Sequence, residues 1–273
     1  MRMRDVEGRL TRRGFFGWLA ACGTIGLSPA FKGGVQRSMT YREESAELRR
    51  LVAEACRILG TEGQGDIVFG HVSARVDEKR YWMKGAGIGL EEVDESDVLL
   101  LDLEGNRLEG ERARHIEYPI HSEIYRKRPD VRAVVHTHPF FSTILGATEM
   151  QLRPVTHEGS FFVPPPIPVF DRTSDLIATR ELGEAVAETL GTHRVVFLRN
   201  HGIVVTGTTV EEACVGALLL EKAARAQLQA AGVGAFAWTS PEEALRKRER
   251  IYTPSTIRTI WEYYRRKSIK QKT

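Results

Sequence analysis

Val131-Arg132-Ala133-Val134-Val135-His136-Thr137-His138-Pro139 is the stretch that decides how this chain folds. Its apolar run has the composition of a buried β-strand. Residues two apart on a strand point to the same face, so the His136 and His138 imidazoles can aim at one point. A second stretch, Val195-Val-Phe-Leu198-Arg-Asn-His201-Gly202-Ile-Val-Val205, joins two apolar runs through a tight turn carrying His201. Together the three histidines read as one divalent-metal site. Three protein ligands leave a position open for water or substrate, the pattern of catalytic rather than structural zinc. Taken alone, a His-x-His pair is more often half-buried strand polarity than a metal site. Glu117 makes the difference. It lies 19 residues before His136 and opens a helix with Pro119 in its first turn. That segment ends at Arg128-Pro129-Asp130, directly before the histidine strand, so the return can bring Glu117 beside the metal.

The rest of the chain supplies a frame for this site. Leu48, Leu51, Val52, Ala55, Ile58 and Leu59 mark one face of a helix, ended by the glycine-containing loop Gly60 to Gly65. Ile67-Val-Phe69, His71 to Val76, Tyr81 to Met83 and Val98 to Leu101 read as strands, with a hairpin-like turn at Glu104-Gly-Asn106. Pro164 to Pro168 is a stiff extended connector at the surface. A long helix opens at Thr208 or Thr209, with Glu211 and Glu212 in its first turn. Two further helical segments start near Pro241 and Pro254. The glycine cluster Lys84-Gly-Ala-Gly-Ile-Gly89 lacks the βαβ context of a dinucleotide fingerprint and reads as a loop.

The first 30 residues read as a twin-arginine export signal. Thr11-Arg-Arg-Gly-Phe-Phe16 is followed by a weakly apolar, glycine-containing stretch, and Ser28-Pro29-Ala30 offers a small-residue cleavage site. The expected location is periplasmic or extracellular. In a less favoured alternative, Leu19-Ala-Ala-Cys22 is a lipobox that anchors the chain at Cys22. Residues 31–44 then form a linker, 45–267 one domain and 268–273 a basic tail. No stretch of the mature chain is long and apolar enough to span a membrane.

The whole chain has 39 Lys+Arg and 36 Asp+Glu. The leader holds five arginines against Asp5 and Glu7, so the mature chain carries 34 of each sign. That balance gives no sign of a nucleic-acid or anionic-membrane partner. About 240 mature residues suit one domain with a substantial core. Cys56 and Cys214 sit in apolar helical segments and read as packed thiols.

Four separated motifs carry a family resemblance: Gly70-His-Val-Ser-Ala-Arg75, Glu117 with Ile124-Tyr-Arg-Lys-Arg-Pro-Asp130, Ala133-Val-Val-His-Thr-His138, and Leu198-Arg-Asn-His-Gly202. Across roughly residues 45–232 the chain resembles the class II aldolase/adducin family, which includes fuculose-phosphate aldolase and ribulose-phosphate 4-epimerase. The resemblance implies an α/β, three-layer α/β/α domain around a mostly antiparallel sheet, usually a homotetramer with sites at subunit interfaces. It implies one divalent ion per subunit on His136, His138 and His201, and Glu117 as the acid/base carboxylate. Zinc is the default because imidazole nitrogen suits it, with Mn2+, Co2+ and Fe2+ as alternatives.

Where sugar-phosphate members of the family hold a phosphate, this chain departs from their pattern. Gly85-Ala86-Gly87 replaces a hydroxyl-bearing Pro-x-Gly, His115-Ile116 replaces Ser-Ser, and His71 stands for an asparagine. Arg75, Lys84, Arg114, His71 and His115 flank the site instead, and several suit a carboxylate. Together with Leu152-Arg-Pro-Val-Thr-His157, these features resemble the hydroxy-aromatic-acid decarboxylase branch, such as dihydroxyphthalate decarboxylase. Candidate substrate contacts are thus His71, Ser73, Arg75, Lys84, Gly87, His115 and His157. The expected activity is a metal-dependent carbon–carbon lyase, decarboxylating a hydroxylated aromatic or oxo acid. An aldolase or epimerase acting on a sugar, sugar phosphate or sugar acid is the first alternative. A non-catalytic, adducin-head-like binding domain is the second.

Overall fold

A computed structural model describes residues 40–270. The twin-arginine segment, Cys22 and the start of the linker lie outside the described residues. Chain order gives helix α1 (Tyr41–Leu59), strands β1 (His71–Arg75), β2 (Arg80–Lys84), β3 (Val98–Asp102) and β4 (Arg107–Glu109), then α2 (Tyr118–Lys127) and β5 (Ala133–Thr137). There follow α3 (Phe140–Ala147), β6 (Val169–Phe170), α4 (Arg180–Leu190), β7 (Val195–Leu198), β8 (Gly202–Gly207), α5 (Val210–Val233), α6 (Pro241–Ile251) and α7 (Pro254–Lys270). The eight strands form one sheet in the order β4-β3-β2-β1-β5-β8-β7-β6. Every neighbouring pair is antiparallel except β6 and β7.

Both faces of this sheet are covered, which is why its central strands read as continuous apolar runs. Val72, Ala74, Ala133, Val135, Ile203 and Val205 share a core with α1 and α5. Val134, Val204, Val196 and Leu198 share a second core with Ile120 and Ile124 of α2 and Val186 and Leu190 of α4. Alternation therefore places His71, Ser73 and His136 on the α2/α4 face. The three-layer α/β/α arrangement matches the expectation.

Several helix starts follow their sequence signals. Thr40 and Glu43 form a reciprocal capping box on α1, and Thr209 accepts from the Glu212 N–H to cap α5. Two glycines have steric reasons. A side chain on Gly183 of α4 would stand 2.5 Å from the Pro119 carbonyl of α2, and one on Gly202 would stand 2.5 Å from the Thr137 carbonyl. The first lets α4 lie close on α2; the second lets β8 start against the end of β5.

The structure moves some expected boundaries. Residues 41–44, read as linker, form the first turn of α1, where the capping box holds them. Residues 268–270, read as tail, complete α7, and Ser268 hydroxyl donates to the Arg265 carbonyl inside that helix. Ile67-Val-Phe69 is not a strand. It is a turn closed by the Phe69 N–H on the Asp66 carbonyl, with Ile67 at a φ of 52° and largely exposed. Cys56 and Cys214 are free and buried, as expected of packed thiols. No described helix is long and apolar enough to cross a membrane.

Candidate metal centre and active site

Strand register builds the first half of the site. His71 of β1 and His136 of β5 are direct cross-strand partners, with ring centroids 4.9 Å apart. His138 directly follows the end of β5 at Thr137, ahead of Pro139. His201 arrives from β8's side, in the three-residue turn between the paired Leu198 and Gly202. Asn200 occupies the left-handed region at φ 57°, a conformation asparagine tolerates better than most residues. The Asn-His-Gly sequence is thus a turn whose outer residues serve geometry while the middle one reaches the site.

Glu117 is the N-cap residue of α2, and its Oε1 accepts from the Ile177 N–H at 2.8 Å. Its carboxylate lies 3.5 Å from His136 Nε2 and 3.6 Å from His201 Nε2. Glu117, His136, His138 and His201 each offer one ligand atom within 4.8 Å of the others. Burial opposes ionisation of Glu117, but a proton on the adjacent His136 Nε2, and next one on His71, outweighs it and holds the carboxyl below its ordinary range.

The donor set fits a divalent cation. His136 Nδ1 lies 2.9 Å from the Ile203 carbonyl, which can only accept, so that nitrogen carries the proton. His138 Nδ1 likewise donates to the Asp66 carboxylate at 2.9 Å. In the neutral rings both Nε2 lone pairs then face each other across 3.1 Å. Two lone pairs at that distance repel unless a cation or proton lies between them. His201 turns its Nε2 toward Glu117 and the other two rings, while its Nδ1 is buried without a hydrogen-bond partner. Burial first, and His136 second, lower the His138 and His201 pKa values, His201 to about 4, so these rings stay neutral and available. Asp66 is the outer partner that orients a ligating histidine.

A second group of polar residues lies beside the cluster. His71 and His115 rings are 4.5 Å apart. His115 Nε2 faces both the Gly85 carbonyl at 3.2 Å and Lys84 Nζ at 3.3 Å. Lys84 is fully buried, and its other contact is the Val68 carbonyl at 3.1 Å. Among the described residues no carboxylate lies within ion-pair range of that ammonium. Burial lowers the Lys84 pKa, and burial followed by the Lys84 charge lowers His115 to about 3. Gly87 sits on the exposed tip of the same loop at φ 77°.

The structure does not bring every sequence candidate to this place. Arg75 shares the face of His71 but stands at the other end of β1. Its guanidinium donates to the Tyr125, Arg128 and Val131 carbonyls and stacks 4.6 Å over the Tyr125 ring. That role is structural: it ties the end of α2 to the sheet. His157 is exposed before the short Glu158–Phe161 turn that packs on α5. Arg114 stacks on Tyr118, with its guanidinium 4.0 Å from the ring centre. Ser73 is fully buried behind His71 and offers its hydroxyl to His121 and Tyr125. His121 is the residue the sequence reading missed. Its signal was available, because position 117 plus four places it on the Glu117 face of α2.

An α/β/α domain with a carboxylate–trihistidine cluster at the end of an antiparallel sheet defines a class II aldolase-type protein. The chain belongs to that family: the model of the class II aldolase and adducin N-terminal domain matches residues 50–228. The chain is 30% identical over 232 residues to 3,4-dihydroxyphthalate decarboxylase of Arthrobacter keyseri, covering 80% of this chain and 92% of that one. The same enzyme of Terrabacter sp. (strain DBF63) is 34% identical over 211 residues, covering 72% and 87%. The L-fuculose 1-phosphate aldolase of Glaciozyma antarctica PI12 shares the fold with a TM-score of 0.76 at 23% identity, over 86% of this chain and 93% of that one.

Proposed function

We propose that this protein is a metal-dependent carbon–carbon lyase that decarboxylates a hydroxylated aromatic or oxo acid. One observation carries the reading: a Glu117–trihistidine cluster stands next to the buried Lys84 ammonium and the neutral His115 ring it contacts, and among the described residues no carboxylate pairs with that ammonium. A substrate carboxylate supplies the missing charge, and burial strengthens that attraction. The similarity to two dihydroxyphthalate decarboxylases supports the same substrate class.

His136, His138 and His201 would hold one divalent ion, zinc by preference, with manganese, cobalt or iron(II) as alternatives. When bound, such an ion supplies Lewis-acid stabilisation of negative charge on a carbonyl, enol or phenol oxygen. Breaking the bond to the carboxyl carbon releases carbon dioxide and leaves the electron pair on the ring or α carbon. Glu117 then moves the proton: it takes one from a substrate hydroxyl and returns one to that carbon. His71, 3.9 Å from Glu117 Oε2, orients this carboxylate. Lys84 acts through His115 to attract the acid.

Aldol cleavage uses the same residues, and the aldolase fold keeps it as the second reading. Loss of the hydroxyl donors of the phosphate loop weighs against a sugar phosphate. A binding-only domain has no need of the four-residue cluster. We further propose twin-arginine export, with Cys22 lipidation as a lesser variant, and assembly as a homotetramer. The zinc-loaded protein, incubated with ortho-hydroxylated aromatic acids and separately with sugar phosphates, tests the reading. Carbon dioxide release from the former alone supports decarboxylation. Cleavage of the latter alone overturns it in favour of an aldolase.

A further inference from the structure

Behind the cluster, between β1 and α2, runs an unbroken line of buried hydrogen bonds. Tyr125 hydroxyl lies 2.7 Å from Ser73 Oγ, Ser73 Oγ 2.6 Å from His121 Nδ1, and His121 Nε2 2.7 Å from His71 Nδ1. All four side chains are within 2% of complete burial. The line ends at His71 Nε2, which stands 3.9 Å from Glu117 Oε2. Neither Ser73, His121 nor Tyr125 touches the metal cluster.

The proton inventory of this line has one consistent direction. A buried hydroxyl must spend its proton on an acceptor. Among the described residues, Ser73 Oγ is the acceptor that the Tyr125 hydroxyl reaches. Having accepted that proton, Ser73 donates its own to its other partner, His121 Nδ1. A neutral His121 then carries its proton on Nε2 and donates it to His71 Nδ1. His71 is left with its proton on Nε2, facing the Glu117 carboxylate. The opposite direction strands the Tyr125 proton and turns a lone pair of His71 toward a carboxylate, so both ends disfavour it.

We infer that Tyr125, Ser73 and His121 are positioning residues that lock His71 as its Nε2–H tautomer, a fixed donor aimed at the Glu117 carboxylate. The consequence for turnover rests on the proposed acid/base role of Glu117; the tautomer itself does not. A locked N–H keeps the positive edge of the ring turned toward the carboxylate, a charge–dipole contact at 3.9 Å, and spares the reaction a ring flip. It also explains why a hydroxyl at position 73 and an imidazole at position 121 are buried in an otherwise apolar face, where unpaired polar groups are costly.

The test is a long-range proton–nitrogen NMR spectrum of the zinc-loaded full chain labelled with 15N-histidine. The His71 signals are assigned by their loss in His71→Asn. The expected result is a pyrrole-like Nε2 and a pyridine-like Nδ1 on His71. In Ser73→Ala, His71 shifts toward averaged or Nδ1–H signals, and kcat drops about tenfold while KM stays within about twofold. A wild-type His71 protonated on Nδ1 overturns the proposal without any variant. An unchanged His71 tautomer in folded Ser73→Ala also overturns it. If the tautomer responds but kcat does not, the lock stands, and the acid/base role of Glu117 is what fails.

Discussion

His136 and His138 present their Nε2 atoms to each other at 3.1 Å, with both Nδ1 protons already committed to the Ile203 carbonyl and the Asp66 carboxylate. Strand geometry puts the two rings on one side, and the two outer acceptors choose which nitrogen each ring turns inward. The pair is prearranged for a cation.

Asp66 should therefore control affinity without being a ligand. Replacing Asp66 with Ala frees the His138 ring to rotate and removes the carboxylate that raises its basicity. Metal affinity is expected to fall about 10- to 100-fold, as for other orienting partners of ligating histidines. Titration against a chelator of known affinity measures this. An unchanged dissociation constant would mean that His138 is held by its backbone alone.

Glu117→Gln separates proton transfer from metal retention. Gln keeps the shape and can still accept from the Ile177 N–H. The variant is expected to retain the ion while kcat falls about 10²- to 10⁴-fold, the usual contribution of a general acid/base. Loss of metal with loss of activity would instead make Glu117 a ligand.

Lys84→Met removes a buried ammonium and keeps most of the side chain's volume. Among the described residues no carboxylate is in ion-pair range, so that charge opposes folding in the free protein. The variant is expected to melt no lower than the wild type, while KM for the acid substrate rises about tenfold or more, equivalent to about 1.4 kcal/mol. A markedly lower melting temperature with unchanged KM would assign Lys84 to the core.

Acid should destabilise the metal-free protein early. Burial, the largest influence on each, lowers the proton affinity of His71, His121, His115 and His201 below the ordinary value of 6.5. The unfolded chain then binds more protons than the folded one, so stability falls as pH falls. The contribution is fully present above 6.5 and is lost toward the folded values, about 4 for His201 and about 3 for His115. Melting temperature is expected to drop between about pH 7 and pH 5, and to drop less in His121→Gln. A flat profile across that window would contradict the burial argument.

How much of this was legible in the sequence follows from what each pattern encodes. The His136/His138 spacing shows a common strand face, and the turn chemistry of Asn200-His201-Gly202 locates the third ring. Glu117 could be placed because a helix and a short return bring its start back toward the next strand. Arg75 shows the limit. The period of two places it on the His71 face, but periodicity is silent about which end of the strand lies under α2 and which opens to the site. Ile67-Val-Phe69 looks like a strand by composition, yet a positive φ at Ile67 closes a turn there. His121 was legible only as a ring on the Glu117 side of α2; its hydrogen-bond line was not, because its partners, His71 and Ser73, lie about 50 residues away in sequence.

The most direct measurement is the metal content of the purified protein beside its His136→Ala, His138→Ala and His201→Ala variants. The account predicts close to one divalent ion per chain in the parent, lost or greatly weakened in each variant while the fold persists. A folded parent that takes up no ion, even after reconstitution, would contradict it and leave the three histidines as structural residues.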